Sequence, residues 1–259
     1  MEEKVFFDHP LGMKLCGIIS NPSENKQTPI IIFAHGFTSH KNSKSYTKIL
    51  DNLYLANIST FRIDLFGHGE SGGDFSEITI TKGKNSILAA IKYLKANGYS
   101  TIGLLGSSFG GISGIMASSE TNDLFCLALK SPVSDWLEIA FPKQDGVLEK
   151  WKKDGFINYE SEESSSRLKY EIVEDAKNNI AFDVALKIRI PTLIVHGNKD
   201  DVVPYEDSVK LSKLMPNAVL HTVNGSNHHY SLSAKHFEEM SQALSDFLIS
   251  ESEKSREVA

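Results

Sequence analysis

The sequence predicts an α/β open sheet, mostly parallel, with helices on both faces and a helical insertion at one end. Three observations predict it. Apolar runs recur that are continuous rather than alternating, as strands covered on both faces require. Segments with apolar residues at helical spacing lie between them. One long stretch, residues 134–186, interrupts the alternation.

Taken in order, residues 5–7 and 15–19 flank the turn signal His9-Pro10-Leu11-Gly12 and read as an opening hairpin. Residues 30–33, 58–63, 102–105, 125–129 and 193–195 read as sheet strands, with 219–223 as the last. Tyr46, Ile49, Leu50 and Leu53 share one helical face, as do Ile87, Leu88, Ile91 and Leu94. Near the end Phe237, Met240, Leu244, Phe247 and Leu248 do the same, and all three stripes are core positions. Asn97-Gly98 closes its helix with a residue suited to the left-handed region. The polar tail, residues 251–259, is expected to fray.

Residues 134–186 contain no clear sheet strand and hold both tryptophans. The expected division is therefore a core of residues 1–133 and 187–259 with a mostly helical cap over the strand ends. Trp136, Phe141, Trp151 and Tyr159 are its candidate substrate contacts, because aromatic rings are too many for so short and charged a stretch unless some face a pocket.

Net charge is −6 and no Lys/Arg block occurs, which disfavours nucleic acid as a partner. The start, Met1-Glu2-Glu3-Lys4, lacks an apolar h-region, so no secretory signal is expected, and no apolar run reaches membrane-spanning length. A cytoplasmic location without membrane insertion is expected, and a homodimer is compatible with the sequence. Cys16 and Cys126 sit in apolar stretches and are expected to be buried free thiols. His221, His228 and His229 lack the carboxylate or cysteine spacing of a zinc site, so no metal and no cofactor is expected.

The chemistry begins at Gly106-Ser107-Ser108-Phe109-Gly110, a G-x-S-x-G pattern between a buried strand and a helix. Such a turn lifts the middle serine off the sheet end, and glycines on either side remove clashing side chains. Ser108, not Ser107, has glycine at both the minus-two and plus-two positions. A serine needs a base, and the base an orienting acid. In a strand–turn–helix arrangement of this kind the acid follows the serine and the histidine follows the acid. The loop after residues 193–195 offers Asp200 and Asp201; the loop after residues 219–223 offers His228 and His229. The Gly67–Gly73 loop lacks the Lys-Ser/Thr ending of a phosphate loop and reads as a tight structural turn.

With these pieces in place the chain resembles the α/β-hydrolase superfamily. The matching residues are His35-Gly36-Phe37, Asp64-Leu65-Phe66-Gly67-His68-Gly69-Glu70-Ser71, the elbow, His196-Gly197 through Val203-Pro204, and Gly225 through His228. Within the superfamily it looks most like bacterial cinnamoyl (feruloyl) esterases, with monoacylglycerol-lipase-like and peptidase-like hydrolases as near alternatives. The resemblance implies Ser108 as nucleophile, Asp200 as acid and His228 as base, with Asp201 and His229 as bystanders. It implies an oxyanion hole made by the backbone N–H groups of Phe37 and Phe109, the latter at a helix N-terminus. It gives His35 a loop-packing role. The implied partner is a small-molecule ester, hydrolysed through an acyl-enzyme. A peptide, thioester or lipid substrate is the alternative, and a non-catalytic binding protein is disfavoured because no expected part is missing.

Overall fold

The computed structural model describes residues 2–23, 25–140, 146–160 and 165–258. Strands β1 (Glu2–Asp8) and β2 (Lys14–Ser20) form the opening antiparallel hairpin around the His9–Gly12 turn. Strand β3 (Ile30–Ala34) leads through helix α1 (Thr47–Leu55) to β4 (Ser59–Ile63), then through α2 (Ile80–Ala96) to β5 (Ile102–Ser107). Helix α2 starts where Thr79 Oγ1 accepts the Lys82 N–H at 3.1 Å. It is followed by Gly98 at φ +90°, the left-handed residue expected there. Helix α3 (Phe109–Ser118) follows β5 directly and leads to β6 (Leu124–Lys130).

The insertion then intervenes, with α4 (Trp136–Ala140), α5 (Val147–Asp154), β7 (Phe156–Glu160), β8 (Ser165–Lys169), α6 (Glu171–Ala176) and α7 (Ala181–Val184). Beside its helices it carries a strand pair that the sequence did not show: β7 and β8 pair as a two-stranded antiparallel sheet of their own. Gly155, at φ +79°, ends α5 and turns the chain into β7. The insertion is pinned to the start of α2 by Asp175, whose carboxylate accepts the Thr81 N–H at 3.0 Å, and by Asn179, which donates to Thr81 Oγ1 at 3.1 Å.

The chain returns to the sheet with β9 (Thr192–Gly197), α8 (Tyr205–Leu214), β10 (Ala218–Val223) and α9 (Ala234–Val258). The eight strands lie in the order β1-β2-β4-β3-β5-β6-β9-β10, parallel from β4 to β10. Side chains alternate across the sheet. Ile30, Ile32, Leu104 and Leu127 pack with Ile87, Leu94 and Ile112 of α2 and α3, while Ile31, Phe33, Leu105 and Val195 pack with α1 and α9. Leu244 and Leu248 of α9 are fully buried there, each contributing roughly 1.5–3 kcal/mol of hydrophobic stabilisation.

The expected fraying of the tail is corrected over residues 251–258, where α9 continues to Val258. Ser252 is fully buried, and Arg256 donates to the Asn57 carbonyl at 3.1 Å. These contacts hold a segment whose polar composition suggested a loose end.

Candidate active site

Because β3, β5, β9 and β10 are parallel, the loops that follow them emerge at the same end of the sheet. In open α/β sheets this carboxyl end is where ligand crevices form. The turn after β5 places Ser108 at φ +51°, a left-handed backbone that is costly for a residue with a Cβ. Close packing enforces the turn: a Cβ on Gly110 would stand 2.3 Å from the Ala34 carbonyl oxygen. The Ser108 N–H donates to the Lys130 carbonyl at 2.9 Å, tying the elbow to β6. The loop after β3 crosses so near that a Cβ on Gly36 would lie 3.3 Å from Ser108 Cβ.

That loop is held from below. Asp64, fully buried, accepts the Lys41 N–H at 2.7 Å, the Lys41 ammonium at 2.6 Å and the Glu70 N–H at 2.8 Å. The Ser71 hydroxyl donates to the Asp64 carbonyl at 2.6 Å. The Gly67–Gly73 loop thus brings Glu70 and Ser71 onto Asp64, while Asp64 holds the β3 loop through Lys41. His35 accepts the Leu65 N–H at Nε2, 3.1 Å away, leaving Nδ1 to donate to the Gly36 carbonyl at 2.8 Å. Both ring nitrogens are used in packing this loop, and burial beside His68 pushes the imidazole well below its ordinary range.

Ser108, His228 and Asp200 come together. His228 Nε2 lies 3.2 Å from Ser108 Oγ, and His228 Nδ1 lies 2.7 Å from Asp200 Oδ2. The other Asp200 oxygen accepts the N–H groups of Val202 at 2.9 Å and Val203 at 2.8 Å. A second imidazole also reaches Asp200: His196 Nε2 stands 2.9 Å from Oδ2. Burial raises the Asp200 carboxyl, but the bonds from His196, His228 and the Val203 N–H outweigh it and hold the group well below the usual carboxylate range. Burial lowers His228 below its usual 6.5, the Asp200 bond opposes this, and the Lys130 and His229 fields reinforce it. The arrangement can pass a proton from a serine hydroxyl to a neutral imidazole whose orientation a carboxylate fixes.

The alternative residues lie differently. Asp201 is exposed. His229 stands edge-on to His228 with ring centroids 5.2 Å apart and lines the cleft. His221 is paired with Glu239 of α9 at 3.2 Å and is not among the residues lining the cleft over Ser108. Among the described residues no group of three or more His, Cys, Asp or Glu is placed to hold a metal.

The cleft over Ser108 has a volume of about 360 Å³. Phe37, Trp136, Ile139 and Val202 line it with Ile157 and Leu168 of the β7–β8 hairpin. The Trp136 ring packs on Phe37 at 5.0 Å and edge-on to Phe109 at 5.2 Å. Of the four cap aromatics expected at the substrate, Trp136 lines this cleft. Trp151 does not: it is fully buried inside the insertion, donates Nε1–H to the Leu168 carbonyl at 2.9 Å and meets Tyr170 edge-on. Its apolar area stabilises the cap itself. Phe141 lies outside the described residues, as does the side chain of Tyr159.

Lys130 was missed by the sequence reading. It is buried at the end of β6, its ammonium 4.9 Å from the centroid of the Tyr230 ring, and burial pushes it down to about 8 against the pull of Asp200. Nothing local in Leu129-Lys130-Ser131 marks that lysine as buried; only the fold does.

A profile of the prolyl oligopeptidase family (Peptidase_S9) matches residues 45–254. The chain belongs to that family. It has the α/β-hydrolase fold. Among relatives of this prolyl oligopeptidase family member, the palmitoyl-protein thioesterase ABHD10, mitochondrial, of Bos taurus is 26% identical over 200 residues, covering 72% of this chain and 61% of that protein. The Homo sapiens protein of the same name is 26% identical over 194 residues, with the same coverage of 72% and 61%. The chain thus spans about three fifths of the length of these relatives. Among solved structures, Est1E from Butyrivibrio proteoclasticus with ferulic acid bound is 28% identical at a TM-score of 0.83, covering 95% of this chain and 98% of that one. The mouse alpha/beta hydrolase domain-containing protein 10 has a TM-score of 0.78 over 95% of this chain and 98% of its own, at 19% identity, a likeness of fold.

Proposed function

We propose that this protein is a serine carboxylesterase acting on small to medium esters with an apolar, including aromatic, acyl group. The observation that carries the reading is the Ser108–His228–Asp200 series, at 3.2 and 2.7 Å, opening into an apolar cleft. Ser108 Oγ attacks the ester carbonyl while His228 Nε2 takes its proton. The tetrahedral oxygen lies against the backbone N–H groups of Phe109, at the start of α3, and Phe37. Collapse expels the alcohol, which takes the proton from His228. Water then repeats the sequence on the acyl-enzyme. Trp136 and the apolar side chains of the hairpin provide a wall for the acyl group, and the likeness to Est1E with ferulic acid supports a cinnamoyl-type acid.

A second reading, a thioesterase, is favoured by the ABHD10 relatives. The same machinery serves it, because the leaving thiolate needs less protonation than an alkoxide. A panel of p-nitrophenyl esters of graded chain length, methyl ferulate, acyl thioesters and aminoacyl-arylamides separates the two. Esters outpacing thioesters at equal acyl group supports the first reading, and the reverse order the second. Amides turned over faster than both would overturn each. Fluorophosphonate is expected to label Ser108; an adduct on Ser107 or Ser71 overturns the assignment of the nucleophile.

A further inference from the structure

His196 stands near the end of β9, four residues before Asp200, and the machinery just described gives it no role. Its ring is fully buried. Nε2 lies 2.9 Å from Asp200 Oδ2, the same oxygen that His228 reaches at 2.7 Å. Nδ1 lies 2.6 Å from the hydroxyl of Ser208, which is itself fully buried on α8. Among the described residues that hydroxyl has no other partner, so its proton goes to Nδ1 and the ring carries its own proton on Nε2, facing the carboxylate. The Tyr205 ring stands edge-on to His196 at 5.8 Å, further fixing the plane of the imidazole.

We propose that His196 is a positioning residue for the reaction: it clamps the Asp200 carboxylate and shares its charge, so that Asp200 orients His228 without holding it as an imidazolium. The inference rests on the serine-hydrolase reading above. A carboxylate bound through one oxygen by a single imidazole keeps freedom to turn. A second N–H on that oxygen, from a rigid strand, joins the backbone N–H groups on the other oxygen to fix the plane of the carboxylate. Charge divided between two donors also attracts each of them less. A base held protonated at neutral pH could not accept the Ser108 proton. The groups facing His228 are Asp200 from the β9 loop, Lys130 from β6, His229 from its own loop and Ser108 from the elbow. Those facing His196 are Asp200, and Ser208, Tyr205 and Asp207 from α8.

The test compares parent, His196→Leu and His196→Gln in kcat/KM for a p-nitrophenyl ester over about pH 5 to 9. Leucine removes the donor. The expected result is a loss of roughly tenfold at neutral pH, the size of one charge-assisted hydrogen bond, together with an acid limb displaced to higher pH. Glutamine offers an amide N–H near the position of Nε2 and is expected to restore the parent limb and most of the rate. A leucine variant with the parent limb overturns the proposal, as does an equal loss at every pH that glutamine fails to rescue. Should the leucine variant not fold, imidazole nitrogen NMR on the parent decides. His196 as the Nε2–H tautomer across the active pH range supports the clamp, and an Nδ1–H tautomer or a charged ring overturns it. A parent that fluorophosphonate does not label at Ser108 removes the underlying reading and this inference with it. A labelled parent with an unmoved limb removes this inference alone.

Discussion

The Lys130 ammonium sits 4.9 Å from the centroid of the Tyr230 ring, behind the loop that carries His228. The Tyr230 hydroxyl donates to the Val195 carbonyl at 3.1 Å and pairs with the Ser131 hydroxyl at 2.9 Å, so the ring under the ammonium cannot move without breaking both bonds. No carboxylate forms an ion pair with this lysine among the described residues. It is a buried cation stabilised by a π face and by the more distant charge of Asp200.

Lys130→Met is expected to flatten the alkaline part of the stability profile. Burial holds the folded-state value near 8, below the ordinary 10.5. Between those values the unfolded chain binds the proton and the folded one does not, so the parent gains stability as pH rises through that window. The gain is on the order of 3 kcal/mol and should be absent from the methionine variant. Urea unfolding at both ends of the window measures it. Equal slopes for parent and variant would show that the ammonium is better solvated than its burial suggests.

The same substitution tests the field on His228. Lys130 lowers the His228 value, so its loss should move the acid limb of kcat/KM upward. In the parent that limb should lie below 6.5, because burial outweighs the pull of Asp200. A parent limb above 6.5 would mean that Asp200 dominates.

His228→Ala and Asp200→Asn are expected to lose several orders of magnitude in kcat, roughly 10³-fold or more, as for any member of a proton-transfer series that acts as a unit. His229→Ala and Asp201→Asn should each cost less than about tenfold, since neither bonds to Ser108 or to the acid. Steady-state kinetics on the four variants checks this. An inactive Asp201→Asn beside an active Asp200→Asn would reverse the choice of acid.

The two tryptophans should separate by phenotype. Trp136→Ala is expected to change the ratio of bulky-ester to acetyl-ester kcat/KM by the equivalent of about 1–3 kcal/mol, because its ring walls the cleft. Trp151→Ala is expected to cost about 3–5 kcal/mol of stability in the cap, because its ring is fully buried and its indole N–H is bonded to Leu168. Thermal unfolding and a two-ester assay distinguish them. A selectivity change from Trp151→Ala without loss of stability would return it to the substrate.

How much of this was legible in the sequence follows from how local each signal is. The strands of the sheet were visible because continuous apolar runs such as Ile30-Ile31-Ile32-Phe33 fit only a layer buried on both faces. Ser108 was visible because its flanking glycines are demanded by a turn a few residues long. The roles of Trp136 and Trp151 were not separable, since an aromatic ring in a cap reads alike whether it faces substrate or its own core. The β7–β8 hairpin was hidden because β7 is only five residues long and β8, Ser165–Lys169, carries a single apolar residue, Leu168. The second partner of Asp200 was hidden too: His196 was on the page as part of a motif, but its bond depends on the turn between the two residues and on Ser208 from a different helix.

The last prediction concerns the loop that carries Phe37. Its conformation depends on Asp64, whose carboxylate accepts from the Lys41 backbone, the Lys41 ammonium and the Glu70 backbone at once. Lys41 is nearly as buried as Asp64, and without that carboxylate its ammonium keeps only the half-exposed Glu70 carboxylate, 2.7 Å away. Asp64→Asn keeps the shape but removes the charge and turns one acceptor into a donor facing other donors. Breaking a fully buried pair costs about 3–5 kcal/mol, and the retained Glu70 contact places the loss here at the lower end of that range. The expected outcome is a lower unfolding midpoint in urea with an unchanged slope. In the fraction that stays folded, kcat should fall, because the loop lies against Ser108, and KM should rise with it, because Phe37 of the same loop lines the cleft. Lys41→Met should be milder, since Asp64 keeps both backbone donors and no buried ammonium is left behind. If Asp64→Asn is no less stable than the parent, or if it raises KM while leaving kcat intact, the ion pair does not govern the position of the loop.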